Sequence, residues 1–151
     1  MDASALELNV RRSLKKFFID ALGTTPVTFD TSLASPDIRG NTVSEWLNID
    51  FGVMSREALS GYTFDVYCLT RQDPEGVNLA RLGDTVFALL KDTEVTDGMK
   101  RIPLYDTAAL PWSSIGAMVV QDIWDAQVFE IIEDETKVKV YTVRLRWGTK
   151  I

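Results

Sequence analysis

Between Thr63 and Leu90 the hydrophobic period changes once, and that change constrains the fold more than any other feature of the chain. In Thr63–Arg71, Phe64, Val66, Cys68 and Thr70 alternate with Asp65, Tyr67, Leu69 and Arg71, the period of two expected of a half-buried strand. Gln72-Asp73-Pro74-Glu75-Gly76 then supplies turn chemistry. Beyond it, Leu79, Leu82, Val86, Leu89 and Leu90 recur at intervals of three and four, which places them on one stripe of a helix. Arg81, Asp84, Ala88 and Lys91 fall on the opposite side. A strand followed at once by a helix long enough to fold back over it seeds a sheet with helical cover.

A second amphipathic helix precedes it. Ser4 and Glu7 match a capping box ahead of an apolar stripe of Leu6, Val10, Leu14, Phe17 and Ala21, and Gly23 is a natural stop, so the spacing predicts a helix over Ala5–Leu22. Its other face gathers Arg11, Arg12, Lys15 and Lys16, four of the 16 basic residues of the chain. Such a strip is either a solvated face or a patch complementary to an acidic partner subunit or to phosphates.

Thr24–Asn41 is rich in Thr, Ser, Pro and Asp and reads as a long exposed loop with a short strand at Val27–Phe29. Thr42–Asp50 alternates again, whereas Phe51–Gly61 is irregular yet carries Phe51, Val53, Met54 and Leu59. Lys100–Asp106 is an edge-like segment interrupted by Pro103. Thr107–Ser114 is an apolar loop with Trp112. Met118–Glu133, bent near Asp122–Asp125, and Lys137–Trp147 form a closing hairpin around Asp134-Glu135-Thr136.

These patterns predict one α+β domain over residues 1–151. Its form is a two-layer α/β sandwich with a mixed, mainly antiparallel sheet of four to six strands and both long helices on one face. The 46% apolar content supports a folded core, and the net charge of −6 argues against a dedicated DNA-binding module. No signal peptide or membrane span is expected. The lone Cys68 falls on the core face of its strand, as a small buried hydrophobe would.

Chemistry is sparse. There is no histidine, which removes the usual general base and zinc ligand. No phosphate loop or dinucleotide fingerprint is present. The nearest carboxylate arrangements are Asp37 with Glu135 and Lys137, and Asp122 with Asp125. Both read better as loop, turn and strand-rim residues, so the expectation is a protein with no catalytic or metal site and no cofactor.

Three stretches together resemble the tail terminator proteins of siphovirus-type bacteriophages, the family of the lambda minor tail protein that caps the tail tube. They are LELNVRRSLKKFFIDAL, TFDVYCLTRQDPEGVNLARLGDTVFALL and VFEIIEDETKVKVYTVRLRW, and they cover most of the chain. The resemblance implies a virion protein, assembled in the host cytoplasm, that forms a homo-oligomeric ring, a hexamer, on the finished tail tube. Such a ring stops tube polymerisation, presents a surface to a head-completion or neck protein, and lets DNA pass without specific binding. Neck, tail-to-head joining and tail completion proteins have the same size and build, and a cytosolic interaction module of that build is a further alternative. A ring needs a few large apolar anchors inside a polar rim. Phe51, Met54 and Trp112 are the candidates outside the core patterns, unless each is folded into its own subunit. Arg11, Arg12, Lys15 and Lys16 would then face a neighbouring subunit.

Overall fold

The change of period at Gln72–Gly76 separates strand β3 (Leu59–Arg71) from helix α2 (Val77–Leu90) in the computed structural model. The structure describes residues 2–31, 33, 43–92, 94, 98–131 and 135–148. Gly76, in the left-handed region, has no side chain with which to cap α2. Asp73 does so from inside the turn: its carboxylate accepts hydrogen bonds from the N–H groups of Asn78 (3.2 Å) and Leu79 (2.8 Å) and from the Thr70 hydroxyl (3.1 Å). Burial alone would raise the Asp73 carboxyl, but these bonds outweigh it and hold the group below its ordinary value.

The remaining strands are β1 (Val27–Phe29), β2 (Glu45–Ser55), β4 (Arg101–Asp106), β5 (Ser113–Ile131) and β6 (Thr136–Gly148). They form one six-stranded sheet in the order β1-β2-β3-β6-β5-β4, parallel only between β1 and β2. On one face, Tyr62 lies opposite Leu145, Phe64 opposite Val143 and Val66 opposite Tyr141. These side chains meet Val10, Leu14 and Phe18 of helix α1 (Glu7–Leu22) and Leu79, Leu82, Val86 and Leu90 of α2 in the main core. The other face carries a smaller cluster of Trp46, Leu69, Val138 and Val140, where the Arg71 guanidinium sits 5.7 Å from the centre of the Trp46 ring.

The α+β class stands, but the layers are not those of a flat two-layer sandwich. Edge strands of a flat six-stranded sheet would lie about 24 Å apart, five inter-strand spacings. Helix α1, about 10–12 Å across, reaches both ends of the strand order from the same two turns. On one side Arg11 pairs with Asp30, next to β1, at 2.7 Å. On the other, the Ser13 hydroxyl accepts the Tyr105 N–H (3.0 Å), and the Asn9 side-chain oxygen accepts the Thr107 N–H (3.1 Å) and hydroxyl (2.7 Å). The sheet therefore curls around α1. Register shifts in β2 between Phe51 and Met54, and in β5 between Val120 and Asp122 and between Asp125 and Gln127, supply bends of the kind such curling needs.

Those shifts also explain where the sequence misleads. Phe51–Gly61 is not irregular: it is the end of β2 and the start of β3, joined around residues 56–58. The bulge breaks the alternation, and Gly52 sits so close to the Thr63 carbonyl that any Cβ would collide with it. In α1, Ser4 does not cap the helix. Its hydroxyl donates to Asp2 (2.6 Å) within a short 3₁₀ turn at Ala3–Ala5, and α1 starts only at Glu7. The buried stripe is Asn9, Val10, Ser13, Leu14 and Phe18, with Leu6 and Ala21 exposed and Phe17 half-buried. Polar Asn9 and Ser13 are inside because they accept the N–H groups of Tyr105 in edge strand β4 and of Thr107 just beyond it, which no further strand pairs among the described residues. Gly23, at φ 56°, ends the helix as expected. Residue 32 and residues 34–42 of the expected loop Thr31–Thr42 lie outside the described residues. Among those described, no helix is long and apolar enough to cross a membrane.

Candidate functional site

Docking α1 on β4 leaves the helix face beyond that contact looking onto the loop that joins β4 to β5. The result is an open groove of about 540 Å³ lined by Arg12, Lys15, Lys16 and Ile19 of α1, by Tyr105, and by Leu110, Pro111 and Trp112 of the loop. Two features that the sequence supplies separately, the basic strip and Trp112, thus meet in one place. The Trp112 ring is half-buried, 6.2 Å from that of Tyr105. Leu110 is 85% exposed and Ile19 54% exposed, so the floor is apolar and bare while the rim is cationic. A second hollow of about 270 Å³, lined in part by Lys16, Phe17, Pro103 and Tyr105, continues the groove along the α1–β4 seam.

The strip does not act as one patch. Arg11 turns toward β1, bound to Asp30 and 3.6 Å from Glu7, with its guanidinium 4.8 Å from the centre of the Phe51 ring. Burial would lower its pKa, but Tyr62 and the two carboxylates outweigh this and hold Arg11 charged. Arg12 donates to the Thr107 carbonyl (3.2 Å) and hydroxyl (3.3 Å), which braces the loop. Lys15 lies 5.3 Å from the centre of the Phe29 ring. Lys16 pairs with Asp20 at 2.7 Å on the exposed surface. Arg12 and Lys15 have no carboxylate partner among the described residues.

Phe51 and Met54 do not join Trp112. Both are half-buried against the main core, Phe51 stacked on Phe29 with ring centres 5.9 Å apart and tilted against Tyr62 at 6.1 Å. Ile19 and Leu110, which sequence reasoning left aside, line the groove instead. Their signal was an apolar residue on the polar side of α1 and a run of apolar residues beside Trp112.

Cys68 is fully buried, and desolvation pushes its thiol up to about 12, so it stays protonated and inert. No group of three acidic, cysteine or histidine side chains that could hold a metal ion is found among the described residues. Asp37 lies outside them. Asp125 spends its charge on Lys139 at 3.5 Å.

No protein-family model matches the chain, and no curated protein matches it. Among solved structures, a protein that carries a serial label in place of a functional name superposes with a TM-score of 0.61 at 14% identity, over 97% of this chain and 98% of its own. That likeness extends over the whole curled α+β fold and concerns the fold alone.

Proposed function

We propose that this protein is a structural ring component of a long-tailed bacteriophage, which caps the tail tube, stops its polymerisation and presents a surface for head attachment. The observation that carries the reading is the groove between α1 and the β4–β5 loop. It has the anatomy of an association surface, an apolar floor around an aromatic anchor with a charged rim, and not that of a catalytic cleft. The order of elements along the chain supports it, since the two helices and the closing hairpin are the segments that resemble tail terminators. Charge supports it too: a subunit of −6 repeated around a ring repels a passing polyanion, so DNA slides through. On this reading Arg12, Lys15 and Lys16 face a neighbouring subunit and not the hole.

The test is genetic. In a phage lacking the protein, tubes should outgrow their set length and fail to join heads, and purified protein should restore both. Normal-length tails that join heads in its absence refute the assignment. Tails of normal length that fail only in joining would make it a neck protein.

A further inference from the structure

The face of the sheet turned away from both helices sorts its charges into rows. Asp65 lies opposite Asp50 on β2 and opposite Thr142 on β6, and Thr142 lies opposite Trp124 on β5. This row sets two carboxylates side by side, an arrangement that costs stability across a strand pair. Burial, together with the charges of Asp30 and Asp65, holds the Asp50 carboxyl above its ordinary value. Asp65 accepts the Thr142 hydroxyl at 2.7 Å. Further along β3, at Gly61, the sign reverses. Gly61 lies opposite Arg146, Arg146 opposite Val119, and Val119 opposite Arg101. Arg144, opposite Thr63, stands between the two rows. Neither the two carboxylates nor the three arginines make an ion pair among the described residues, although Asp122 lies opposite Arg144. Three bare apolar side chains border the rows on the same face: Trp124 (47% exposed), Leu59 (52%) and Val53 (80%), the last in the bulge that faces Thr63.

The acidic row and the basic row complement each other, and the pattern has a two-fold centre. An axis normal to the sheet through the Thr63–Arg144 pair carries the place of Asp65 onto that of Arg146. It carries Asp50 onto Val119, beside Arg101, and Trp124 onto Ser55, beside Val53 and Leu59. The curl around α1 makes this face convex, and β3 and β6, the middle strands of the order, form its crest. Convex faces meet at their crests, which is where the axis falls. We propose that two copies of this chain pack outer face to outer face about this axis. Asp65 and Asp50 of each copy meet Arg146 and Arg101 of the other, and Trp124 lies against Val53 and Leu59. One patch meeting itself is an isologous contact, which closes at two subunits. It uses neither α1 nor the Trp112 loop, so it stands apart from the capping reading. The crest measures roughly 20 Å by 20 Å from the strand spacing and residue rise. That is about half the area per partner of a standard interface, which makes the pair weak and transient.

A transient pair is best trapped. Thr63→Cys protein is treated with a bis-maleimide long enough to span the ~10 Å between stacked sheets; buried Cys68 stays silent. Yields are normalised to labelling by a one-armed maleimide and compared with Ala88→Cys, on the exposed side of α2, which reports chance collision. Thr63→Cys should give covalent dimers well above that background. Adding Arg146→Glu, or Asp65→Lys, should cut the yield at least about tenfold, because each reversal sets like charges against each other twice in the pair. Mixing the two reversed proteins should restore it, since each then supplies the charge that the other requires. Restoration by mixing cannot come from misfolded chains. Thr63→Cys that links no faster than Ala88→Cys, linking that neither reversal lowers, or a loss that mixing does not repair would each overturn the contact.

Discussion

The two helices cover the same sheet in different ways. Helix α2 is an apolar lid: Leu79, Leu82, Val86 and Leu90 go in, Arg81 and Asp84 stay out, and one buried carboxylate starts it. Helix α1 holds its place with polar atoms as well. Asn9 and Ser13 take up the N–H groups of edge strand β4, and Arg11 reaches to Asp30 at the other end of the strand order. A helix fixed on both flanks can present its outer face to solvent, with Arg12 there also bracing the β4–β5 loop through Thr107. That face is where Arg12, Lys15, Lys16 and Ile19 border the groove. The lesson is that α2 stabilises the fold while α1 both stabilises it and offers a surface, so substitutions on the two should separate.

The largest effect is expected in the shared core. Phe18→Ala removes a fully buried ring that packs edge-on against Phe64 (centres 6.0 Å apart) and should cost about 3–5 kcal/mol. Val86→Ala in α2 should cost less, because a smaller side chain is lost, and chemical denaturation measures both. Next comes the polar seam peculiar to α1. Asn9→Ala strands the Thr107 N–H and hydroxyl without their acceptor and should cost about 1–3 kcal/mol, with protection of the Thr107 amide lost in hydrogen exchange. An Asn9→Ala protein as stable as wild type would reduce α1 to a lid like α2.

The cap of α2 comes third. Asp73→Ala should cost about 1 kcal/mol at neutral pH. The folded-state pKa of Asp73 lies below its ordinary value, so its contribution is fully present above the unfolded carboxyl pKa. It fades as pH falls through the depressed folded value. The gap between wild type and Asp73→Ala in thermal melts should therefore close in acid, and a gap that persists there would show that the carboxylate charge is not what caps the helix. The smallest effect on stability is expected at Trp112. Trp112→Asp should shift unfolding by less than about 1 kcal/mol, since the ring rests on Tyr105 at the groove and not in the core, yet it should abolish self-assembly seen by sedimentation. Loss of the fold would instead give Trp112 a core role.

This contrast also marks what the sequence discloses. Helix α2 is legible because one helical stripe runs its length, and β6 because alternation survives on either side of a single phase change at Val140–Tyr141; the short strand Val27–Phe29 also falls where the sequence places it. The bend in β5 is legible near Asp122–Asp125, since the register slips on either side of that stretch. Helix α1 is mis-phased because buried Asn9 and Ser13 read as surface residues until their partners, Thr107 and Tyr105, are known. Phe51–Gly61 is misread because a bulge at Gly52 breaks the period of a continuous strand. Of the groove, the ingredients Arg12, Lys15, Lys16 and Trp112 are visible and their meeting is not. Nothing local links α1 to a loop about a hundred residues away; tertiary docking on β4 does.

The central claim, that the outer face of α1 and the Trp112 loop serve assembly at the end of a tail tube, is tested most directly by tube length. Purified wild-type protein added to tubes polymerising from tail tube subunits should halt growth and sharpen the length distribution seen by electron microscopy. Folded Trp112→Asp protein at the same concentration should leave tubes growing as if nothing had been added. Equal capping by both proteins, or none by wild type, would contradict the account.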